Sequence, residues 1–219
     1  MTPKDRFRLF LEQHFPDKTE ILMIGFENYL NLLYETNQQV NLVSRQMTKE
    51  NYWLYHFLDS LLIINCMDLC SEKILDFGSG GGLPGIPLKL VFPDLKMTLL
   101  DSVGKKVRCL EQMILSLELT NCRAVWSRLE DFSKPAQIEK YDLIFCRSVK
   151  LESGFIEPLH KLLKPGGKVV FYKAQSMEDV SVLPEIEICD VSLPEIGKRR
   201  IVTAPRQSLG INMKTKKVG

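Results

Sequence analysis

The sequence has little of what several classes of protein require. Its 219 residues include three histidines and six cysteines, and no two cysteines stand in a C-x-x-C arrangement. Cys66 and Cys70 are one helical turn apart, but no histidine stands near them to complete a metal site. We therefore predict no metal site, and we interpret the cysteines as buried free thiols of a reducing compartment.

Long apolar runs are missing as well. The longest are well short of the ~20 residues that a membrane-spanning helix needs, and residues 1–6 contain no signal-peptide core. We therefore expect no membrane association and a cytoplasmic location. Internal repeats and low-complexity linkers are absent too. Because 45% of the residues are hydrophobic and 26% are charged, the composition is that of a soluble globular protein with one substantial core.

Excess charge is also lacking, since the formal net charge is only +2. A nucleic-acid partner is therefore allowed but not demanded. The basic residues are nevertheless clustered, at Lys105, Lys106 and Arg108, at 198–200 and at 214–217. Such clusters contact phosphates in nucleic-acid-binding proteins. A solvated helix face or a frayed tail explains them equally well, and the sequence alone leaves both interpretations open.

The most informative stretch is 73–87. An apolar run at 74–77 contains Asp76 near its end, a glycine cluster follows, and an apolar, helix-compatible segment occupies 86–92. This order predicts a strand, a tight turn and a helix. Glycines at such a turn let a ligand approach the main chain closely. Amides at the start of the helix favour a polar or anionic group of that ligand.

Two nucleotide-type cofactors fit this turn. Residues 80–85 satisfy the G-x-G-x-x-G pattern of a dinucleotide site. Asp76 favours S-adenosyl-L-methionine instead, because a carboxylate repels a pyrophosphate and attracts an ammonium or sulfonium group. The next apolar run ends in Asp101, about 20 residues after the glycines, where an acid accepts the ribose hydroxyls of either cofactor.

The first part of the chain, residues 1–70, has the spacing of helices. One apolar face is predicted for a first helix and another for a second, and a third helix is expected over about 49–68. In that third helix His56 and Asp59 are one turn apart and could pair. The two predicted faces consist of Phe7, Phe10, Leu11 and His14, and of Ile21, Ile24, Tyr29, Leu32 and Leu33.

From Lys73 onward, apolar runs alternate with helical segments, which predicts a parallel, doubly wound α/β sheet. Two further strands, at about 185–191 and 199–203, are joined by a connection too short for a crossover helix, so they should be antiparallel. In a dinucleotide-binding fold these last strands would also be parallel and joined by a helix, so the antiparallel pair favours a methyltransferase. The five earlier strands are expected at 74–77, 97–100, 123–126, 142–147 and 168–172, with helices to about 91, over 104–117 and over 152–163.

This pattern predicts a Rossmann-like class I S-adenosylmethionine-dependent methyltransferase fold. It has a seven-stranded, mostly parallel sheet with an antiparallel last hairpin and an N-terminal helical extension. The predicted divisions are the extension at 1–70, a methyltransferase domain at 71–206 and a flexible basic tail at 207–219.

Several motifs are more specific than a cofactor loop. They are His-Phe-Leu-Asp-Ser-Leu at 56–61, the run ending in Gly-Leu-Pro-Gly-Ile-Pro at 76–87, Leu-Leu-Asp-Ser at 99–102, Gly-Lys-Lys-Val-Arg at 104–108 and Ser-Arg-Leu-Glu-Asp-Phe at 127–132. Through these motifs the chain resembles the bacterial small-subunit ribosomal RNA guanine-N7 methyltransferases, the glucose-inhibited division protein B family. The resemblance extends over roughly residues 29–203.

The resemblance implies the site. Its cofactor pocket would be formed by Gly78, Leu83, Asp101, Leu129, Glu130 and Arg147, to which the loop chemistry adds Asp76 and Gly80. Arg147 ends the fourth predicted strand, at the edge where open sheets bind ligands. Its guanidinium suits the carboxylate of the cofactor or a phosphate of RNA.

The implied reaction is methyl transfer to N7 of a guanine in 16S ribosomal RNA, as naked RNA or in the small ribosomal subunit. Guanine N7 needs no general base, so we predict no indispensable proton-transfer residue. RNA would be oriented by Arg147, Lys173, Lys105, Lys106 and Arg108, and the chain is expected to be a monomer. Two alternatives stay open from the sequence: an NAD-dependent oxidoreductase and a non-catalytic ribosome-assembly protein that binds RNA.

Overall fold

The computed structural model describes residues 1–134 and 139–210. Within this part of the chain the strands form one seven-stranded sheet in the order β3-β2-β1-β4-β5-β7-β6. Strands β1 to β5 are parallel, and β7 pairs antiparallel with both β5 and β6. The strands are β1 Lys73–Phe77, β2 Lys96–Asp101, β3 Cys122–Trp126, β4 Tyr141–Arg147, β5 Leu163–Lys173, β6 Glu187–Asp190 and β7 Arg200–Pro205.

The predicted strands are confirmed, including the antiparallel final pair, and their bounds differ from the predicted ones by a few residues. The central strands have unbroken apolar sequences because helices cover both faces of the sheet. In β1, Ile74, Leu75 and Asp76 are all fully buried. The fold is therefore the one expected from the alternation of apolar runs and helices.

Helices cover the two faces of the sheet. Those that follow strands are α4 Gly85–Val91, α5 Gly104–Ser116, α6 Leu129–Phe132 and α7 Ser153–Leu162. One hydrophobic cluster contains the N-terminal helices together with α4, α5 and one sheet face, and a second lies under α7 on the other face. The N-terminal helices thus share a core with the sheet. The domain boundary at residue 70 and the tail boundary at 207 stay predictions.

Two long helices, α1 Pro3–His14 and α2 Thr19–Gln39, begin the chain. Thr2 caps α1, because its hydroxyl accepts from the amide of Asp5 while the Asp5 carboxylate accepts from the amide of Thr2. The predicted face of α2 was partly wrong: Ile21 is 70% exposed and Ile24 is 60% exposed. The spacing of apolar residues in α2 is compatible with two faces that share Tyr29 and Leu33. The face that is buried in the structure consists of Leu22, Met23, Phe26, Tyr29, Leu30 and Leu33.

The third predicted helix is irregular and shorter than expected. Residues 49–65 form successive turns: the 3-10 helix Lys49–Asn51, the π-helix Trp53–Leu58, the α-helical turn α3 Asp59–Leu61 and the 3-10 helix Leu62–Asn65. We call this segment the irregular helix. The predicted pairing of His56 with Asp59 is wrong, since Asp59 pairs with Arg147 and Arg199 instead.

The interpretation of all cysteines as buried free thiols is also corrected. Cys66, after the irregular helix, forms a disulfide with Cys189 in β6, with the two Cα atoms 6.1 Å apart. Cys70 is free but exposed, whereas Cys109 and Cys146 are buried as predicted. The pairing joins residues 123 positions apart, so no local spacing in the sequence indicated it.

Two further findings bear on the predictions. No described helix is long and apolar enough to cross a membrane. The basic residues at 214–217 lie outside the described residues, which end with a 3-10 helix, Arg206–Leu209, whose Ser208 and Leu209 are buried.

Candidate active site

The strand order reverses between β1 and β4, and such a switch point is where open α/β sheets bind ligands, beyond the carboxyl ends of the strands. Three adjoining hollows lie along this edge. The β2 hollow, about 380 Å³, lies beyond β1 and β2, and the glycine-loop hollow, about 370 Å³, lies against the turn after β1. The β5 hollow, about 210 Å³, lies beyond β4 and β5.

These hollows are linked by shared residues. Gly78 and Lys106 line both the β2 hollow and the glycine-loop hollow. Arg147 and Ser148 line both the glycine-loop hollow and the β5 hollow. The three hollows therefore adjoin one another along the carboxyl edge of the sheet, where we refer to them together as the groove. Two of them individually have the volume of a small-molecule site.

The glycine turn after β1 is held tightly against β2. The amides of Gly78 and Ser79 both donate to the carbonyl of Leu100. Gly78 has φ +73°, and a Cβ placed on it would lie 2.6 Å from Cγ2 of Val149. Only glycine meets both conditions without displacing its neighbours. The turn therefore presents bare main chain to the groove, as the sequence predicted.

Asp76 lies beneath this turn rather than in the groove. Its Oδ2 accepts hydrogen bonds from Ser79 Oγ at 2.6 Å and from the amide of Gly85 at 3.0 Å. Its Oδ1 has no partner among the described residues. Burial raises the pKa of the Asp76 carboxyl to about 6, although these two hydrogen bonds oppose the shift. The structure thus places Asp76 as a support that ties the turn to the start of α4.

Asp101 lines the β2 hollow and also braces the glycine turn. Its Oδ2 accepts from the amide of Gly80 at 3.0 Å, and its Oδ1 accepts from the amide of Val103 at 2.9 Å. Each carboxylate oxygen has a second lone pair for a ligand hydroxyl. The prediction that Asp101 binds a ribose is consistent with this position, and the turn contact is a second role that the sequence did not indicate.

The β2 hollow contains the remaining nucleoside-site residues. Leu129 is buried and Glu130 is exposed, and both contribute to its lining together with Phe77 and Phe155. The rings of Phe77 and Phe155 meet edge to face with centroids 5.1 Å apart. A flat apolar base and a polar sugar are accommodated by such a lining. Phe155 was missed because it comes from α7, far away in the sequence.

The glycine-loop hollow combines Gly80 and Leu83 with residues 41–44. Those residues follow α2 and were not predicted to belong to the site. Asn37 positions them, because its buried Oδ1 accepts from the amides of Leu42 and Val43 at 2.8 and 3.0 Å. The Asn-Leu pair at 41–42 is one of the motifs shared with the family that the chain resembles, but it carried no chemical signal that assigned it to the site.

His56 also lines the glycine-loop hollow. Its Nδ1 lies 3.1 Å from the carbonyl of Tyr55, so we assign the hydrogen to Nδ1 and an acceptor lone pair to Nε2. That Nε2 has no partner among the residues described. Burial and, secondarily, the charge of Arg147 lower the pKa of His56 to about 4, so the ring is neutral at physiological pH.

Arg147 ends β4 as predicted, but its guanidinium is committed to the irregular helix. It forms an ion pair with Asp59, with Nη2 and Oδ2 3.0 Å apart. It also donates to the carbonyls of Tyr55 and His56 and to Oγ of Ser60. In this structure Arg147 therefore joins the sheet to the N-terminal helices, and one edge of its side chain lines the groove.

Lys173 is placed at the β5 hollow, where it forms a largely buried ion pair with Asp179 at 2.5 Å. Arg199, Arg200, Tyr55 and Tyr172 also line this hollow, together with Asp59 and with apolar side chains such as Met47 and Leu62.

The predicted basic cluster lies in the first turns of α5. Lys105 and Arg108 are exposed, and Lys106 is half-buried and reaches the groove. The structure brings together Gly78, Gly80, Leu83, Asp101, Leu129, Glu130, Lys106 and Arg147 along one groove, with Lys173 at its far end. Asp76 lies below it, and Lys105 and Arg108 lie outside it.

The chain matches known proteins over most of this architecture. A sequence model of the GidB family, described as rRNA small subunit methyltransferase G, matches residues 23–190. The chain belongs to the GidB family. Its relatives include a ribosomal RNA small subunit methyltransferase G from Desulforamulus reducens, 42% identical over 151 residues, and one from Oenococcus oeni, 37% identical over 180 residues. These matches cover 67% and 81% of this chain, and 62% and 72% of the relatives.

Solved structures confirm the predicted fold. A SAM-dependent methyltransferase from Aquifex aeolicus is similar with a TM-score of 0.55 and 18% identity, covering 70% of this chain and 92% of that protein. A precorrin-6y C5,15-methyltransferase from Geobacter metallireducens has a TM-score of 0.52 and 14% identity, covering 74% and 91%. At the level of the GidB family, the predictions of a methyltransferase, of S-adenosylmethionine as cofactor and of small-subunit ribosomal RNA as substrate are confirmed.

Proposed function

We propose that this chain transfers the methyl group of S-adenosyl-L-methionine to N7 of a guanine in 16S ribosomal RNA. The observation that carries the proposal is the groove at the switch point, built from a bare glycine turn, Asp101 and a neighbouring hollow that contains Arg199 and Arg200. Membership of the GidB family supports the reaction class. The position N7 rests on the resemblance in the motifs, together with the chemistry that the groove offers.

The residues of the groove fit this cofactor. Asp101, with a free lone pair on each oxygen, would hold the ribose hydroxyls, and Leu129 and Phe155 would contact the adenine. Glu130, which is exposed in the lining, would accept from an exocyclic amino group. The main chain of Gly78 and Gly80 would take the amino acid part in the adjoining hollow. When bound, the cofactor supplies an electrophilic methyl group on a positively charged sulfur.

Guanine N7 carries an unprotonated lone pair, so its attack on that methyl group requires no proton transfer. The bound cofactor would supply the methyl group, with its sulfur as the leaving group. The protein then acts chiefly by holding the two reactants in line. His56 is consistent with this account, because a neutral ring with a pKa of about 4 adds no positive charge next to the cofactor.

The β5 hollow is the part of the groove that best suits the RNA. Tyr55 and Tyr172 offer aromatic surface for a base splayed out of a loop, and Arg200 offers positive charge for its phosphates. Lys173, Arg147 and Arg199 would orient the RNA indirectly, since Lys173 is already paired with Asp179 and both arginines are paired with Asp59. Lys105, Lys106 and Arg108 would contact more distant phosphates.

We further propose that the chain acts as a monomer in the cytoplasm, where ribosomal RNA is modified. All groove residues come from a single chain, so a second copy is not needed to complete the groove. Analytical ultracentrifugation of the purified protein would contradict the monomer if it gave twice the mass of 25.2 kDa.

Transfer of a labelled methyl group tests the proposed function. The protein is incubated with tritium-labelled S-adenosylmethionine and with small subunits from a strain that lacks the enzyme. We expect label in 16S ribosomal RNA, recovered after digestion as N7-methylguanosine. Subunits from the parent strain, already methylated, are the control and should take up no label. Binding of RNA without transfer would instead support the non-catalytic alternative.

A further inference from the structure

Trp126, at the end of β3, is unusually exposed for its size. Its side chain is 69% exposed, whereas Trp53, the second tryptophan of the chain, is 2% exposed. Trp126 pairs in register with Asp101 of β2, so it stands at the rim of the β2 hollow. A large aromatic ring left in water at the rim of a binding groove is a feature that the cofactor site alone does not explain.

The ring of Trp126 is held in place despite its exposure. Its Nε1–H donates to the carbonyl of Ser102 at 3.1 Å. The start of α5 lies directly against the ring, because a Cβ placed on Gly104 would be 3.1 Å from its nearest ring atom. One edge is thus hydrogen-bonded and part of one face is packed on the main chain. The remaining surface is a rigid, flat, apolar platform.

Three basic residues lie close to Trp126 in the sequence or at the start of α5. Arg108 lies one helical turn after Gly104 on α5, Lys105 follows Gly104 directly, and Arg128 is two residues from Trp126. All three side chains are exposed, and none forms an ion pair within residues 1–134 and 139–210. Nearby, by contrast, Arg123 pairs with Glu139 and Lys134 pairs with Asp131.

We propose that Trp126 is a stacking surface for a base of the substrate RNA, with Lys105, Arg108 and Arg128 contacting the adjacent phosphates. The inference rests on the proposed function. An aromatic ring between basic side chains is the arrangement by which proteins bind single-stranded RNA. The adenine of the cofactor is the other candidate base. The residues that line the β2 hollow, as the structure describes them, do not include Trp126.

The base on Trp126 belongs to a different nucleotide from the target guanine. The order β3-β2-β1-β4 separates β3 from β4 by three strand spacings, which is about 14 Å at roughly 4.8 Å each. The methyl group is transferred near β1 and β4, so Trp126 takes a nucleotide several positions away. The platform therefore positions the RNA and does not take part in the reaction.

Kinetics of three variants, at the two exposed hydrophobic residues Trp126 and Leu115, test the inference. We expect Trp126→Ala to raise KM for small subunits by roughly tenfold, because a base stacked on an aromatic side chain contributes an effect of this size. The kcat and the calorimetric affinity for S-adenosylhomocysteine should stay unchanged. Trp126→Phe retains a flat ring and should recover most of the loss. Leu115→Ala, which removes a 79% exposed side chain from the other end of α5, should behave like the wild type.

Fluorescence gives a second readout that does not depend on turnover. A short single-stranded RNA oligonucleotide should quench the emission of the wild type, whereas Trp126→Phe, with only the buried Trp53 left, should show no quenching. Unchanged KM and quenching in the variants would overturn the inference. An equal loss of affinity for S-adenosylhomocysteine would also overturn it, by assigning the ring to the cofactor. A wild-type protein that binds this RNA but transfers no methyl group would contradict the proposed function. The quenching measurement would still test whether Trp126 stacks on a base.

Discussion

The guanidinium of Arg147 and the carboxylate of Asp59 form a buried ion pair that joins the end of β4 to the irregular helix. The two side chains are only 11% and 9% exposed, and Asp59 is shared with Arg199, whose Nε lies 2.6 Å from Oδ1. The same arginine borders two of the three hollows. The geometry of the groove is therefore coupled to the docking of the N-terminal helices on the sheet.

Removing the carboxylate should destabilise the protein strongly. Asp59→Asn leaves two arginines facing an uncharged amide, and breaking a buried ion pair in this way reduces the free energy of unfolding by about 3–5 kcal/mol. Urea denaturation followed by circular dichroism measures the change. Asp131→Asn removes the partner of Lys134 from an exposed pair, which solvent screens, and should change the stability far less. Equal effects of the two substitutions would disprove the structural role of the buried pair.

The glycine turn should tolerate no side chain at its first position. Gly78→Ala requires a left-handed φ of +73° and places Cβ 2.6 Å from Val149. We expect the affinity for S-adenosylhomocysteine, measured by calorimetry, to fall at least tenfold. Gly154→Ala is the matched control, because a Cβ there meets nothing within 4 Å. It lies in helix α7 and should leave binding unchanged while raising stability by about 0.5–1 kcal/mol.

Asp101 should contribute to cofactor affinity both directly and through the turn. An amide in its place has one acceptor oxygen, so Asp101→Asn cannot accept from Gly80, Val103 and two ribose hydroxyls together. Loss of charged hydrogen bonds predicts a decrease in affinity of about 1–3 kcal/mol. Calorimetry with S-adenosylhomocysteine checks this. Asp94→Asn, at an exposed loop position, is the control. Unchanged affinity in Asp101→Asn would mean that the ribose binds elsewhere.

Two buried groups should make opposite contributions to the pH dependence of stability. The pKa of Asp76 rises from 3.8 to about 6, so the folded state holds a proton that the unfolded state has released, and stability falls as pH increases from 4 to 6. The pKa of His56 falls from 6.5 to about 4, so stability rises as pH increases from 4 to 6.5. Each effect amounts to about 3 kcal/mol, and the two largely offset each other in the wild type.

Single variants should separate these contributions. Relative to the wild type, Asp76→Asn should become more stable as pH increases from 4 to 6, because it lacks the buried acid. Relative to the wild type, His56→Gln should become less stable over 4 to 6.5. Denaturation curves at half-unit steps of pH measure both differences, and contributions from other groups cancel in each comparison. Parallel profiles for the wild type and a variant would show that the corresponding group titrates normally.

Much of the fold could be predicted from the sequence. Buried parallel strands are continuous apolar runs, and the short connection around Pro194 and Gly197 could only join antiparallel strands. The position of Gly78 and Asp101 at the groove could be predicted for the same reason, since the carboxyl ends of parallel strands meet at one edge. Leu129 was placed there by the family resemblance. The binding of the cofactor by these residues stays a prediction.

What the sequence could not reveal depends on long-range contacts. We predicted that Arg147 binds a ligand, because no acidic partner for it was evident from the sequence. Its partner Asp59 is 88 positions earlier, and nothing local linked the two. The disulfide between Cys66 and Cys189 was missed for the same reason. The buried face of α2 was decided by packing between two candidate faces. The exposure of Trp126 followed from its place on an edge strand, whereas its apolar sequence context predicted only a strand end.

The central claim is that the groove along the carboxyl edge of β1 and β2 binds the methyl donor. A crystal structure of the protein with S-adenosylhomocysteine tests it most directly. We predict the ribose hydroxyls within hydrogen-bond distance of Asp101, the adenine against Leu129 and the amino acid part on the main chain of Gly78 and Gly80. Density for the ligand at another surface, with this edge empty at saturating concentration, would contradict the account.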